Sequence, residues 1–195
     1  MSKYTITLTT TEPILGTAPL NKELYAEYIA SRVNDTDVLD EIDSVPDAIE
    51  KGTTGFHRDP DGAPILYDYV IKGFFKDAAG MLRRVEGTKS SKLTSYKKVV
   101  DGLVFVRPRT IPIVTSAEVG ILERPLRAQT AQGERVALAR SEMIETGATI
   151  TFTLELLSGN LEPAVREWLD YGESRGLGQW RNGGYGTFTY QMTPA

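Results

Sequence analysis

Residues 176–188 of the chain read "GLGQWRNGGYGTF". Gly176, Gly178, Gly183, Gly184 and Gly186 bare backbone N–H groups and let another backbone approach closely. Arg175 and Arg181 can pair with phosphates, Gln179 can hydrogen-bond, and Trp180 or Tyr185 can stack on a base. The competing reading is a tight connection with buried aromatics, whose glycines supply positive φ. Physical chemistry alone leaves the two readings even.

Nucleotide motifs fail here on order and spacing. A dinucleotide fingerprint needs its glycines after a strand and before a helix, so that the helix N-terminus meets the pyrophosphate. In this chain a helix precedes the loop and a strand follows. A Walker A loop needs Gly-Lys-Ser/Thr at its end, which is absent. "DPDG", residues 59–62, starts like a calcium loop, but Val70 stands where an EF-hand needs its bidentate Glu. A turn is the better reading, with Pro and Asp early and Gly at its end.

His57 is the single histidine, and cysteine is absent. A triad with a second imidazole, a disulfide and a thiolate metal site are therefore excluded, and a classical zinc site is disfavoured. His57 is a weak catalytic candidate, with a structural or surface role the stronger reading. No metal or cofactor is expected. No apolar run is long enough to span a bilayer, and "MSKYTITLTT" is no signal peptide, so a cytoplasmic location and no membrane partner are expected.

The elements that must position these groups follow from periodicity. "KYTITLTTTEPIL" alternates as a strand stopped by Pro13. "NKELYAEYIASRV" predicts a helix capped by Asn21, with Leu24, Tyr25, Tyr28 and Ile29 on one face. "GFHRDPDGAPIL" predicts a hairpin. "YVIKGFFKDAAGMLRRVEG" predicts a helix burying Phe74, Phe75, Ala78, Ala79, Leu82 and Val85. A short helix at "SSKLTSYKKVVDG" and a strand at "LVFVRP" follow. "ILERPLRAQ", "RVALARSEMI" and "TITFTLEL" read as strands. "NLEPAVREWLDYGES" predicts a helix capped by Asn160, with Leu161, Val165, Trp168 and Leu169 inward. "YGTFTYQM" is the last strand.

Without insertions the order is strand, helix, strand, strand, helix, strand. That predicts an α+β, ferredoxin-like (RRM-like) antiparallel sheet with helices on one face and the other face free, as in RRM-type RNA binders. The chain of 195 residues reads as one domain, with an acidic insertion at about 17–55 and a basic one at about 88–119. Net charge is −4, but it is unevenly spread. Residues 22–51 hold nine carboxylates against three bases, and residues 72–109 hold ten bases against three acids. Such polarity can steer an anionic partner to one face, although a solvated surface is the commoner meaning.

Three segments, in order, resemble the RAMP superfamily of CRISPR effector complexes. "ITLTTTEPILGT" resembles its first strand, which ends in Pro-Leu-x-x-Gly. "FHRDPDGAPILYDYVIKGFFKDAAGMLRRV" resembles its arginine-aspartate turn, Lys-Gly stretch and following helix. "GLGQWRNGGYGTF" resembles its C-terminal glycine-rich loop. "RPLRAQTAQGERVALARSEMIETGATITFTLEL" looks like its paired central strands. The resemblance implies a non-catalytic, single-stranded RNA-binding protein like the subunits that grip guide RNA. A homo-oligomer or related subunits are the implied protein partners. It nominates Lys72, Gly73, Lys76 and Arg83, and in the loop Gly178, Gln179, Arg181, Gly183, Gly184, Tyr185 and Gly186. Arg127, Gln129 and Arg135 are added from their chemistry alone.

Departures from the pattern matter. The small hydroxyl residues before Lys-Gly are replaced by Tyr67–Val70, which places Asp68 near the implied phosphate path. The aspartate of target-cleaving members aligns at about Thr53, and His57 lies away from the usual histidine of guide-processing members. A metal-independent ribonuclease is the enzymatic alternative. A phage or mobile-element protein that engages a host complex through the acidic insertion is the protein-binding alternative.

Overall fold

The computed structural model describes residues 1–21, 23, 53–130 and 133–195, and only the backbone of 126–130 and 133–137. The expected helix after Asn21 and nearly all of the acidic stretch lie outside the described residues. At Asn21 itself, the side-chain Oδ1 accepts a hydrogen bond from the Glu23 N–H at 2.9 Å.

Two sheets and three α-helices carry the fold among the described residues. The strands are β1 (Ser2–Thr10), β2 (Ile14–Leu15), β3 (Ala18–Pro19), β4 (Thr53–Gly55), β5 (His57–Arg58), β6 (Pro64–Tyr67), β7 (Val104–Arg107), β8 (Thr110–Val114), β9 (Gly120–Thr130), β10 (Gly133–Ile144), β11 (Thr149–Leu156) and β12 (Phe188–Pro194). The helices are α1 (Asp68–Leu82), α2 (Tyr96–Leu103) and α3 (Glu162–Arg175). The main sheet runs β12-β1-β11-β8-β6-β5, with β7 also on β11. Taken with α1 and α3, the order β12, β1, β11, β7/β8 is that of an α+β ferredoxin-like sheet.

The alternation of β1 explains its place at the centre. Tyr4, Ile6, Leu8 and Thr10 are buried, while Thr5, Thr7 and Thr9 lie on the opposite face. Its register pairs Ile6 with both Phe152 of β11 and Met192 of β12. Against the buried face, α1 presents Ile71, Phe74, Phe75, Ala78 and Ala79, and α3 presents Val165, Trp168 and Leu169. Phe75 and Trp168 meet at 5.5 Å between ring centroids, and the indole N–H donates to Ser90 Oγ at 2.8 Å. Fully burying a side chain of this size stabilises the fold by about 1.5–3 kcal/mol.

Two details of the helices differ from expectation. Val85 is 53% exposed, because α1 stops at Leu82 and the stripe does not continue. Asn160 does not cap α3: the helix enters through a turn of 3₁₀ helix at Gly159–Leu161, and no side chain caps it.

The second sheet runs β2-β10-β4-β3, with β9 on β10. The β9–β10 hairpin pairs continuously from Gly120 with Met143 to Thr130 with Gly133. Of the segment resembling paired central strands, only β11 enters the main sheet, where β7 and β8 pair with it. β9 and β10 instead stand beside the loop that leads into β12.

Candidate nucleic-acid interface

The loop between α3 and β12 is docked by its backbone. Gly186 N–H donates to Pro13 O at 2.8 Å, Leu177 N–H to Gly186 O at 2.8 Å, and Gln179 N–H to Leu15 O at 3.3 Å. Gly186 has φ +72°, and a Cβ there would sit 1.9 Å from Leu177 O. Gly178 has φ +82°, and its Cβ would meet Leu15 O at 2.5 Å. These two glycines are required by close approach of backbone to backbone.

The tip is different. Gly183 and Gly184 are exposed, and a Cβ on Gly184 would meet nothing within 4 Å. They form a ridge between two grooves. The first, of about 610 Å³, is lined by Glu12, Pro13, Arg124, Met143, Tyr185, Thr187 and the ridge itself. The second, of about 550 Å³, holds Arg175, Gln179, Trp180, Arg181 and Asn182 beside Thr17. Trp180 is held at φ 54°, a left-handed conformation costing a non-glycine residue about 1–2 kcal/mol. Its ring meets Tyr185 edge-on, with centroids 6.2 Å apart. Both readings of the loop are thus present: its ends are a tight connection, and its tip is open.

Charge partners decide which cations remain available. Arg181 Nη1 lies 3.0 Å and Arg175 Nε 2.9 Å from the same oxygen of Asp77. Arg175 also donates to Asn182 Oδ1. The Asp77 carboxylate stabilises the charged Arg175 guanidinium, raising its pKa above the ordinary arginine value. Two guanidinium groups on one carboxylate leave the cluster one positive charge in excess. Gln179 is also engaged: its Oε1 accepts from Thr54 Oγ1 at 2.5 Å.

Lys72, Gly73, Lys76 and Arg83 lie elsewhere. Lys76 pairs with Asp101 at 2.6 Å, and Lys72 donates to the Asp101 backbone carbonyl at 3.2 Å while lying over the Phe105 ring. Arg83 lies over Tyr96 at 5.4 Å. Gly73 is exposed, with nothing within 4 Å of a Cβ built on it. These residues belong to the α1–α2 side, whereas the nominated loop residues other than the buried Gly186 line the two grooves. Arg127, Gln129 and Arg135 fall at paired positions of the β9–β10 backbone, and their side chains lie outside the described residues.

Arg124 was not among the residues nominated from sequence. It projects from β9 over the Tyr185 ring, 5.4 Å from its centroid, and makes no ion pair among the described residues. Only the packing of β9 beside the loop reveals it, and no sequence signal marks that packing. Glu142 is another residue that sequence reasoning missed. It accepts from Arg58 at 2.5 Å and from the Phe56 N–H at 2.8 Å, tying the β5–β6 hairpin to β10.

His57 is 6% exposed, with its ring edge-on to Tyr67 at 4.8 Å between centroids. Burial lowers its pKa to about 4, so it is neutral at pH 7. It lines neither groove. The free sheet face also differs from an aromatic stacking platform. On β1, β11 and β12 it carries Thr5, Thr7, Thr9, Thr151, Thr153, Thr189, Gln191 and Thr193.

No protein-family model matches the chain, and no curated protein matches it. Among solved structures, it is similar to a chain in the cryo-EM structure of the type III-B Cmr-beta bound to cognate target RNA, with TM-score 0.57 and 13% identity. That match covers 99% of this chain and 60% of the other, so this chain spans somewhat under two thirds of its length. A chain of a type IV-B CRISPR complex gives TM-score 0.46 at 13% identity, covering 98% of this chain and 90% of that one. Among the described residues, no helix is long and apolar enough to cross a membrane. The sheet order and the first of these likenesses place the chain in the α+β ferredoxin-like fold.

Proposed function

We propose that the chain is a non-catalytic, single-stranded RNA-binding subunit of a CRISPR-type effector assembly. The observation that carries this reading is the Gly183–Gly184 ridge, flanked by grooves that each hold an aromatic ring, with Arg124 lacking a carboxylate partner among the described residues. A strand can rest its backbone on the bare ridge, set bases against Tyr185 and Trp180, and pair a phosphate with Arg124. The fold likeness to a subunit found with target RNA supports the same reading. The burial and neutrality of His57 favour binding over cleavage.

The test is fluorescence anisotropy with a labelled single-stranded RNA across a salt series. Single-stranded RNA should bind more tightly than duplex RNA, and affinity should fall steeply with salt as counterions leave. Tyr185→Ala should remove about 1–3 kcal/mol of binding, the contribution of one stacked base. Retention of RNA that is insensitive both to salt and to Tyr185→Ala would overturn the reading. Incubating the RNA with protein in EDTA checks for metal-independent cleavage: intact RNA is expected.

A further inference from the structure

The first groove holds, beside Arg124, a carboxylate that a site for phosphate alone would not need. Glu12 stands on the turn between β1 and β2, exposed, and makes no ion pair among the described residues, not even with Arg124 of the same groove. A carboxylate repels the sugar-phosphate chain, and when ionised it can only accept hydrogen bonds. Its groove is otherwise suited to a flat aromatic ligand, with walls supplied by Pro13, Met143 and Tyr185. The Thr11 N–H donates to Thr187 O at 2.8 Å, and the Gly186 N–H to Pro13 O at 2.8 Å, which ties the backbone on either side of Glu12 to the residues that follow Tyr185.

The ligand must therefore be planar, present hydrogen-bond donors at its edge and carry an anion alongside for Arg124. Among nucleobases, guanine alone offers two adjacent donors, N1–H and the N2 amine, which match the two oxygens of a carboxylate. Adenine and cytosine set one amine beside an acceptor nitrogen, and uracil sets one N–H between two carbonyls. We infer that the groove of Glu12, Arg124 and Tyr185 seats a guanine base of the bound strand, with Glu12 selecting it and Arg124 holding the neighbouring phosphate. This rests on the RNA-binding reading and adds base selectivity to it.

The experiment compares short uridine oligoribonucleotides carrying one central uridine, adenosine, inosine or guanosine. Guanosine should bind about tenfold more tightly than uridine or adenosine, the discrimination expected of one bidentate pair. Inosine, which lacks the N2 amine, should lose most of that gain. Glu12→Gln should bind all four within about twofold of one another. Glu12 is exposed, so the variant keeps the fold, which a thermal melt checks. Wild-type protein that does not distinguish guanosine from adenosine, or a Glu12→Gln variant that keeps the preference, overturns the guanine seat and leaves RNA binding standing. Failure of every oligonucleotide to bind overturns both.

Discussion

The α1–α2 side and the glycine-loop side present positive charge in different settings. Residues 72–109 are the more basic by sequence, yet Lys76 is paired with Asp101, and Lys72 and Arg83 lie over the rings of Phe105 and Tyr96. The loop side has fewer cations: Arg124 lies over the Tyr185 ring much as Arg83 lies over Tyr96, and the Asp77 cluster keeps an excess positive charge. Arg84, Lys89, Lys92, Lys97 and Lys98 are exposed and make no ion pair among the described residues, so the α1–α2 side carries more free charge, while the loop side sets its charge beside open grooves and aromatic rings.

The strongest way to break the comparison is to destroy the loop alone. Gly186→Ala places a Cβ into Leu177 O at positive φ, and should cost about 3 kcal/mol or more, seen as a lower urea midpoint. Gly184→Ala is its control: with nothing within 4 Å it meets only the backbone penalty of φ +87°, about 1 kcal/mol.

A second effect belongs to neither region and separates stability from binding. The unfolded chain protonates His57 near 6.5, whereas the folded protein resists protonation down to about 4. Stability from this group is thus present above pH 6.5 and drains as pH falls towards 4, by up to about 3 kcal/mol. Thermal melts over that range should fall less for His57→Phe than for wild type. Parallel curves would refute the assignment.

Binding predictions are smaller and sharpen the contrast. Arg124→Ala should weaken single-stranded RNA about tenfold and reduce the magnitude of the salt slope by about 0.7, the loss of one phosphate contact. Lys72→Ala with Lys76→Ala should change affinity by less than about twofold, since these lysines are already engaged within the fold and an exposed pair contributes about 0–1 kcal/mol. If the double variant loses more than Arg124→Ala, the α1–α2 side is the interface.

Much of the fold was legible because its signals are local. The alternation of β1, the "DPDG" turn, and the apolar stripes of α1 and α3 lie within short windows. The loop's glycines and aromatics were legible for the same reason. The charge partners were not, because Asp77 meets Arg181 across 104 positions and Glu142 meets Arg58 across 84. No periodicity links such residues. Arg124 was hidden likewise: "GILERPLRAQ" reads as a strand, but the strand's neighbour in space depends on a hairpin joining a second sheet.

The Thr11–Thr187 contact has a consequence for the order of assembly. The two backbone segments that floor the first groove stand 176 residues apart. Closing a loop of that length costs about 4–5 kcal/mol of chain entropy, which must be met before local contacts repay it. β1 pairs with β11 on one edge and with β12 on the other, so both of its edges stay open until residues 149–194 have been made. The first groove therefore cannot form before residues 183–187 have docked beside Glu12 and Pro13.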